Sequence, residues 1–204
     1  MLGFYNYTVV LTYIGMLAAF TGIMAACNGT ERLAMVCLMA AGLCDMFDGA
    51  VARTRNRTAE ERRFGIQIDS LSDLVSFGVL PGIILYCGSR NMAGALIASW
   101  YVLSALIRLA YFNVMEEERQ EKTGRARSYY TGFPVTVSAA IIPAVYVLSR
   151  WTGGDGIWME GVSLLVMSIL FLLPFKVAKP HFTGKACFVL LGLAGVLVLS
   201  ATAV

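Results

Sequence analysis

Runs of about twenty apolar residues recur along this chain, at about 7–28, 32–52, 66–88, 92–114, 130–150, 157–175 and 185–203. Each is long enough to cross the hydrocarbon of a bilayer as a helix. A spanning helix satisfies all its own backbone hydrogen bonds, which lipid cannot do for it. The 204 residues are 58% hydrophobic and 14% charged, with a mean hydropathy of +0.70, a composition that a water-facing surface would not tolerate. The expected architecture is all-α: a polytopic integral membrane helix bundle forming one domain over 1–204. Seven spans are counted, with six and eight as the neighbouring counts. The core covers about 1–176, with six transmembrane helices, and one or two C-terminal helices follow, one of them at about 185–203. Turn-forming strings separate the runs, such as Asn28-Gly29 and Thr152-Gly153, so sequence neighbours should pack antiparallel.

The basic residues sort the loops. Arg53, Arg55, Arg57, Arg62 and Arg63 follow the second run; Arg119, Lys122, Arg125 and Arg127 follow the fourth; Lys176, Lys179 and Lys185 follow the sixth. The other loops hold only Arg32, Arg90 and Arg150. The positive-inside rule places the N-terminus and the even loops in the cytoplasm. With no basic stretch before it, the first run is expected to be a retained helix. Residues 115–128 read as a charged loop or a helix extension. Five scattered cysteines and the single His181 offer neither a disulfide framework nor a zinc site. Small residues such as Gly15, Ala18, Ala19 and Gly22 line one face of the first run and permit close helix contact.

Against this apolar background stand four aspartates beside the loop after the second run: Asp45, Asp48, Asp69 and Asp73. Intramembrane carboxylates are costly unless paired, wetted or bound to cations. Residues 45, 48, 49 and 52 fall on one helical face, and residues 65, 69 and 73 repeat that stripe on the next helix. A lone intramembrane Asp is often only a helix–helix hydrogen bond or a cap. Four at matching spacing, with glycines interleaved, call for a ligand. All-oxygen donors suit hard ions, Mg²⁺ or Mn²⁺. Two such ions held by four carboxylates would clamp a phosphoryl group. Gly49 and Gly65 would leave room for the ligand, and Arg53 would offer a fork to phosphate oxygens.

The arrangement Asp-x-x-Asp-Gly-x-x-Ala-Arg, then Gly-x-x-x-Asp-x-x-x-Asp, resembles the signature of the CDP-alcohol phosphotransferases. These are integral membrane enzymes that transfer a phosphatidyl or related group from a CDP-linked donor to an alcohol. Asp45, Asp48, Gly49, Ala52, Arg53, Gly65, Asp69 and Asp73 fill every position, with a longer spacer between Arg53 and Gly65 than the family usually has. The resemblance implies that Asp45, Asp48, Asp69 and Asp73 hold two divalent cations and that Asp73 is the general base. It implies a CDP site lined by Gly49, Ala52, Arg53 and Gly65, with Thr58, Asn6 and Thr8 as further contacts. A homodimer is also implied.

Three more strings look like the serine-accepting branch of that family: Leu71 to Pro81, Ile107 to Asn113 and Tyr129 to Pro134. They imply CDP-diacylglycerol as donor and L-serine as acceptor, with the active site on the cytoplasmic side of a bacterial or archaeal membrane. Arg108 is the one basic residue within a predicted span and is expected to meet a carboxylate or phosphate, helped by Thr131. Glycerol 3-phosphate or inositol phosphate are the alternative acceptors, and a divalent-cation transporter is the reading from another class. No feature points to nucleic acid.

Overall fold

The structure, a computed structural model, describes residues 3–52, 54–122, 129–153, 155–174 and 176–178; for 119–122, 129–131 and 176–178 only the backbone is described. A 3₁₀ turn at Tyr7–Val9 leads into α1 (Val10–Cys27), followed by α2 (Glu31–Ala52) and α3 (Ala59–Asp73). A π-helical stretch, Leu74–Val79, joins α3 to α4 (Leu80–Ser89), so Ala59–Ser89 is one continuous helix. Then come α5 (Met92–Lys122), β1 (Tyr129–Thr131), a 3₁₀ turn at Val135–Val137, α6 (Ser138–Thr152), α7 (Gly156–Leu172) and β2 (Lys176–Ala178). Among the described residues, five helical stretches are long and apolar enough to span a membrane, and Gly156–Leu172 is a shorter apolar helix. The seventh expected span, 185–203, lies outside the described residues, as do Lys179, His181, Lys185 and Cys187.

Three boundaries differ from expectation. The third helix starts at Ala59 rather than 66, because Thr58 and Glu61 form a capping box: Glu61 N–H donates to Thr58 Oγ1 at 3.1 Å and Thr58 N–H to Glu61 Oε2 at 2.9 Å. The fourth runs to Lys122 instead of 114, so the charged stretch begins as a helix extension. The fifth begins at Val135 rather than 130. Gly132, at φ +81°, and Pro134 break the helix there, and residues 129–131 pair antiparallel with 176–178, Tyr129 opposite Ala178. Among the described residues, that three-residue ladder is the one addition to a helical bundle.

The core is apolar and tight. Met35, Leu38, Leu80, Tyr101, Ile142 and Leu164 are fully buried, while Leu17, Phe20, Leu96, Leu103, Val162 and Ile169 are exposed around the bundle, as lipid-facing side chains must be. A Cβ on Gly22 would stand 2.9 Å from Cys37 Cβ, and one on Gly42 would stand 2.6 Å from Ala139 Cβ, so α1–α2 and α2–α6 contacts both depend on the missing methyl. Exposed Trp151 and Trp158 flank the α6–α7 turn, where an interfacial anchor belongs.

The π stretch has a local cause. Pro81 has no N–H to offer the carbonyl of Phe77 four residues earlier, and Leu80 N–H reaches back five residues to Val75. Tyr101 Oη donates to the Phe77 carbonyl at 2.8 Å and Ser138 Oγ at 3.4 Å. One proline thus leaves a helical carbonyl to side chains from α5 and α6, immediately after Asp73.

Candidate active site

The carboxylates of α2 and α3 meet. Asp45, Asp48 and Asp69 each present one oxygen such that all three lie within 4.8 Å of one another. Asp48 is 9% exposed, and Asp45, Asp69 and Asp73 are half-buried. Across the gap the Asp69 carboxyl contacts that of Asp48, and the Asp73 carboxyl contacts that of Asp45. The two helical stripes therefore face each other in register, as their spacing predicts. Helix α1 supplies a third wall: Thr12 Oγ1 donates to Asp48 Oδ2 at 3.3 Å, and Ser72 Oγ donates to the Thr12 carbonyl at 3.4 Å. Thr12, Gly15, Cys44 and Ser76 join Asp45, Asp48 and Asp73 in lining a small cleft.

Depth follows from helix length. Asp69 precedes Ser89 by twenty residues and Asp48 follows Glu31 by seventeen, which at about 1.5 Å per residue gives roughly 30 Å and 26 Å. Asp73 precedes Ser89 by sixteen residues and Asp45 follows Glu31 by fourteen, roughly 24 Å and 21 Å. With a hydrocarbon layer about 30 Å thick, Asp48 and Asp69 lie near the edge of the apolar band on the side of the α2–α3 connection, and Asp45 and Asp73 lie deeper in the same half.

The edge side of the site is built from the α2–α3 connection and the N-terminal segment. Gly49 faces open space within 4 Å, as expected for a position reserved for a ligand, and Ala52 ends α2 half-buried. Gly65 does not face open space: Arg57 Nη1 lies 3.0 Å from where its Cβ would stand. Arg53 is outside the described residues. Thr58 is the N-cap of α3. Asn6 caps the first 3₁₀ turn, accepting from Thr8 N–H at 3.1 Å and from the Thr8 hydroxyl, and its Nδ2 donates to Glu61 Oε1 at 3.1 Å. Arg55 Nη2 approaches the same carboxylate oxygen at 3.5 Å. Asn6, Thr8 and Thr58 are thus gathered around Glu61, a residue the sequence reading passed over although its Thr-x-x-Glu spacing is a capping-box signal.

On the other flank α5 packs against α3, with Ser70 Oγ donating to Asn113 Oδ1 at 2.6 Å and Gln67 Nε2 to Glu117 Oε1 at 3.0 Å. Arg108 is buried on α5. Its Nε donates to the Phe133 carbonyl at 3.3 Å and its guanidinium lies 5.3 Å from the Phe112 ring centre. A Cβ on Gly132 would come within 3.1 Å of Arg108 Nε. The turn at 132–133 therefore meets Arg108 with a carbonyl. The Thr131 backbone lies in β1 and its side chain is outside the described residues.

The model of the family CDP-alcohol phosphatidyltransferase matches residues 5–171. The chain belongs to that family. It is 29% identical over 168 residues to the CDP-diacylglycerol--serine O-phosphatidyltransferase of Mycobacterium tuberculosis, covering 78% of this chain and 57% of that protein. It is 30% identical over 162 residues to the archaetidylserine synthase of Methanothermobacter thermautotrophicus, covering 78% and 66%. Over 105 residues it is 40% identical to the CDP-diacylglycerol--serine O-phosphatidyltransferase of Saccharomyces cerevisiae, covering 50% and 37%. The chain thus spans little more than half the length of the mycobacterial relative. Members of this family depend on divalent metal, and the donor set fits: three carboxylate oxygens at this spacing can close on one hard cation, with the Asp73 carboxyl alongside.

Proposed function

We propose that this family member transfers the phosphatidyl group of CDP-diacylglycerol to the hydroxyl of L-serine, giving phosphatidylserine and CMP. The observation that carries the reading is the meeting of the α2 and α3 carboxylates toward one edge of a lipid-facing bundle. There the donor's acyl chains can stay in lipid while its nucleotide and the amino acid arrive from water. Serine as acceptor is supported by the activities for which the Mycobacterium, Methanothermobacter and yeast relatives are named.

Asp45, Asp48, Asp69 and Asp73 would hold two divalent cations, Mg²⁺ or Mn²⁺. When bound, these supply charge neutralisation to the pyrophosphate and to the oxygens that attack and leave. Asp73 accepts the proton of the serine hydroxyl. The serine oxygen forms its bond to the β-phosphorus as the bond from that phosphorus to the bridging oxygen breaks, and CMP departs with that oxygen. Gly49, Ala52, Arg53 and Gly65 border the nucleotide, and the Glu61 network of Asn6, Thr8 and Thr58 holds the rim on which it rests. Arg108, with Thr131, takes the serine carboxylate. In this reading the site faces the cytoplasm, the bundle has six core helices, and the active form is a homodimer.

A cation transporter fits less well, since its site belongs near mid-membrane on broken helices, whereas these carboxylates lie in one half, toward the α2–α3 connection. The test is CMP release by the purified full chain with Mn²⁺ or Mg²⁺, CDP-diacylglycerol and, in separate arms, serine, glycerol 3-phosphate or inositol phosphate. Serine alone should support turnover, and Asp73→Asn should lower kcat by roughly 10²- to 10⁴-fold, the usual worth of a general base. Turnover with another acceptor only, or a fully active Asp73→Asn variant, would overturn the assignment.

A further inference from the structure

The stripe of 65, 69 and 73 on α3 begins with a glycine, and the space above that glycine holds a guanidinium. Arg57 leaves the connection one residue before the Thr58 cap and turns back over the helix, bringing Nη1 to 3.0 Å from the Gly65 Cβ position. The side chain is half-buried, and its charge acts on the Asp69 carboxylate one turn further along the same face. Among the described residues it makes no ion pair within 4 Å, although Glu60 and Glu61 are close in sequence. Arg55 pairs with Glu61 at 3.5 Å, and the Arg57 charge also acts on Glu61 from beyond ion-pair distance. A guanidinium laid beside a carboxylate cluster, yet not committed to any one carboxylate, has its fork of N–H donors available to a planar or tetrahedral oxyanion. The same cluster, once it holds divalent cations, attracts anions rather than guanidinium, so the two charges are arranged to grip one ligand from two sides.

We propose that Arg57 is a donor-binding residue that takes phosphate oxygens of the nucleotide diphosphate across Gly65. Gly65 then has a specific purpose: it is the surface over which the Arg57 side chain lies, and a methyl there would shift the guanidinium by a few tenths of an ångström. This rests on the proposed use of a CDP-linked donor and adds to it a second arginine, four residues beyond the Arg53 of the family signature.

The experiment measures CDP binding by calorimetry with Mn²⁺, together with the KM for CDP-diacylglycerol and for serine, on the purified full chain. Arg57→Ala should weaken CDP binding and raise the donor KM by on the order of tenfold to a hundredfold, the worth of a charge-assisted hydrogen bond. The serine KM should not move. Arg57→Lys should recover part of the loss, having charge without the fork. Gly65→Ala should give a smaller defect of the same kind in the wild-type background and add little to it in the Arg57→Ala background. Arg62→Ala, an exposed arginine in the first turn of α3, should match wild type. If wild type binds CDP and Arg57→Ala binds it equally, or if Arg62→Ala is equally impaired, the role of Arg57 is overturned and the donor reading stands. If wild type neither binds CDP nor releases CMP, the donor reading fails and this inference with it.

Discussion

At the residue scale, the carboxylates were legible because helical period alone aligns 45 with 48 and 69 with 73, and no packing detail can undo that alignment. Their supports were not. Thr12 lies 36 positions from Asp48 and nothing in the sequence marks it as a partner, yet it is the α1 residue that donates to that carboxylate. Groups that orient a metal ligand typically matter by about 10- to 100-fold in affinity. Thr12→Val should therefore weaken Mn²⁺ binding by roughly tenfold and Asp69→Asn by more, both read by electron paramagnetic resonance of free Mn²⁺; unchanged affinity in both would remove the ions from this cluster. Arg108 gives a second prediction. Gly132 adopts a left-handed φ of +81° and faces Arg108 Nε. Gly132→Ala should strain the turn and displace the guanidinium, raising the serine KM while the donor KM stays close to wild type. An equal rise in both would place Arg108 on the donor instead.

At the element scale, all six apolar runs among the described residues are helices, and what moved was where they start and stop. Apolar windows mark the part of a helix that lipid covers; caps and breakers mark its ends, so Thr58 carried the third helix back into the polar connection and Gly132 with Pro134 delayed the fifth. The seam after Asp73 was hidden for another reason. Pro81 is visible in the sequence, but the side chains that answer its missing hydrogen bond come from 24 and 61 positions beyond Phe77. This arrangement makes α3–α4 a helix whose register is fixed from outside, just below the proposed general base. Tyr101→Phe should cost about 0.5–1.5 kcal/mol in denaturation from mixed micelles. In a Pro81→Ala background the new N–H can serve the Phe77 carbonyl, so the same change should cost less. Strict additivity of the two substitutions would mean that Tyr101 does not stand in for the lost backbone bond.

At the scale of the whole molecule, the two ends of the bundle differ in chemistry. One end carries the four aspartates and, in the sequence, the arginine-rich connection from Arg53 to Arg63; the other carries short turns at Asn28-Gly29, Arg90-Asn91 and Thr152-Gly153 with Trp151 and Trp158 exposed beside the last. At that second end Arg150 Nη2 lies 3.9 Å from Glu31 Oε2 in an exposed pair close to buried Glu160, and the other two basic residues, Arg32 and Arg90, are exposed. Three scattered arginines direct insertion less than five clustered within the connection and the first turns of α3. The chain should therefore insert with the aspartate end inward, the side from which the proposed serine acceptor would come. Single cysteines placed at Gly29, Gly153 and Thr54 in a cysteine-free background test this with a membrane-impermeant maleimide. Gly29→Cys and Gly153→Cys should label in intact cells, and Thr54→Cys only after permeabilisation. The reverse pattern would turn the site to the outside, and with it any supply of serine and donor nucleotide from the cytoplasm.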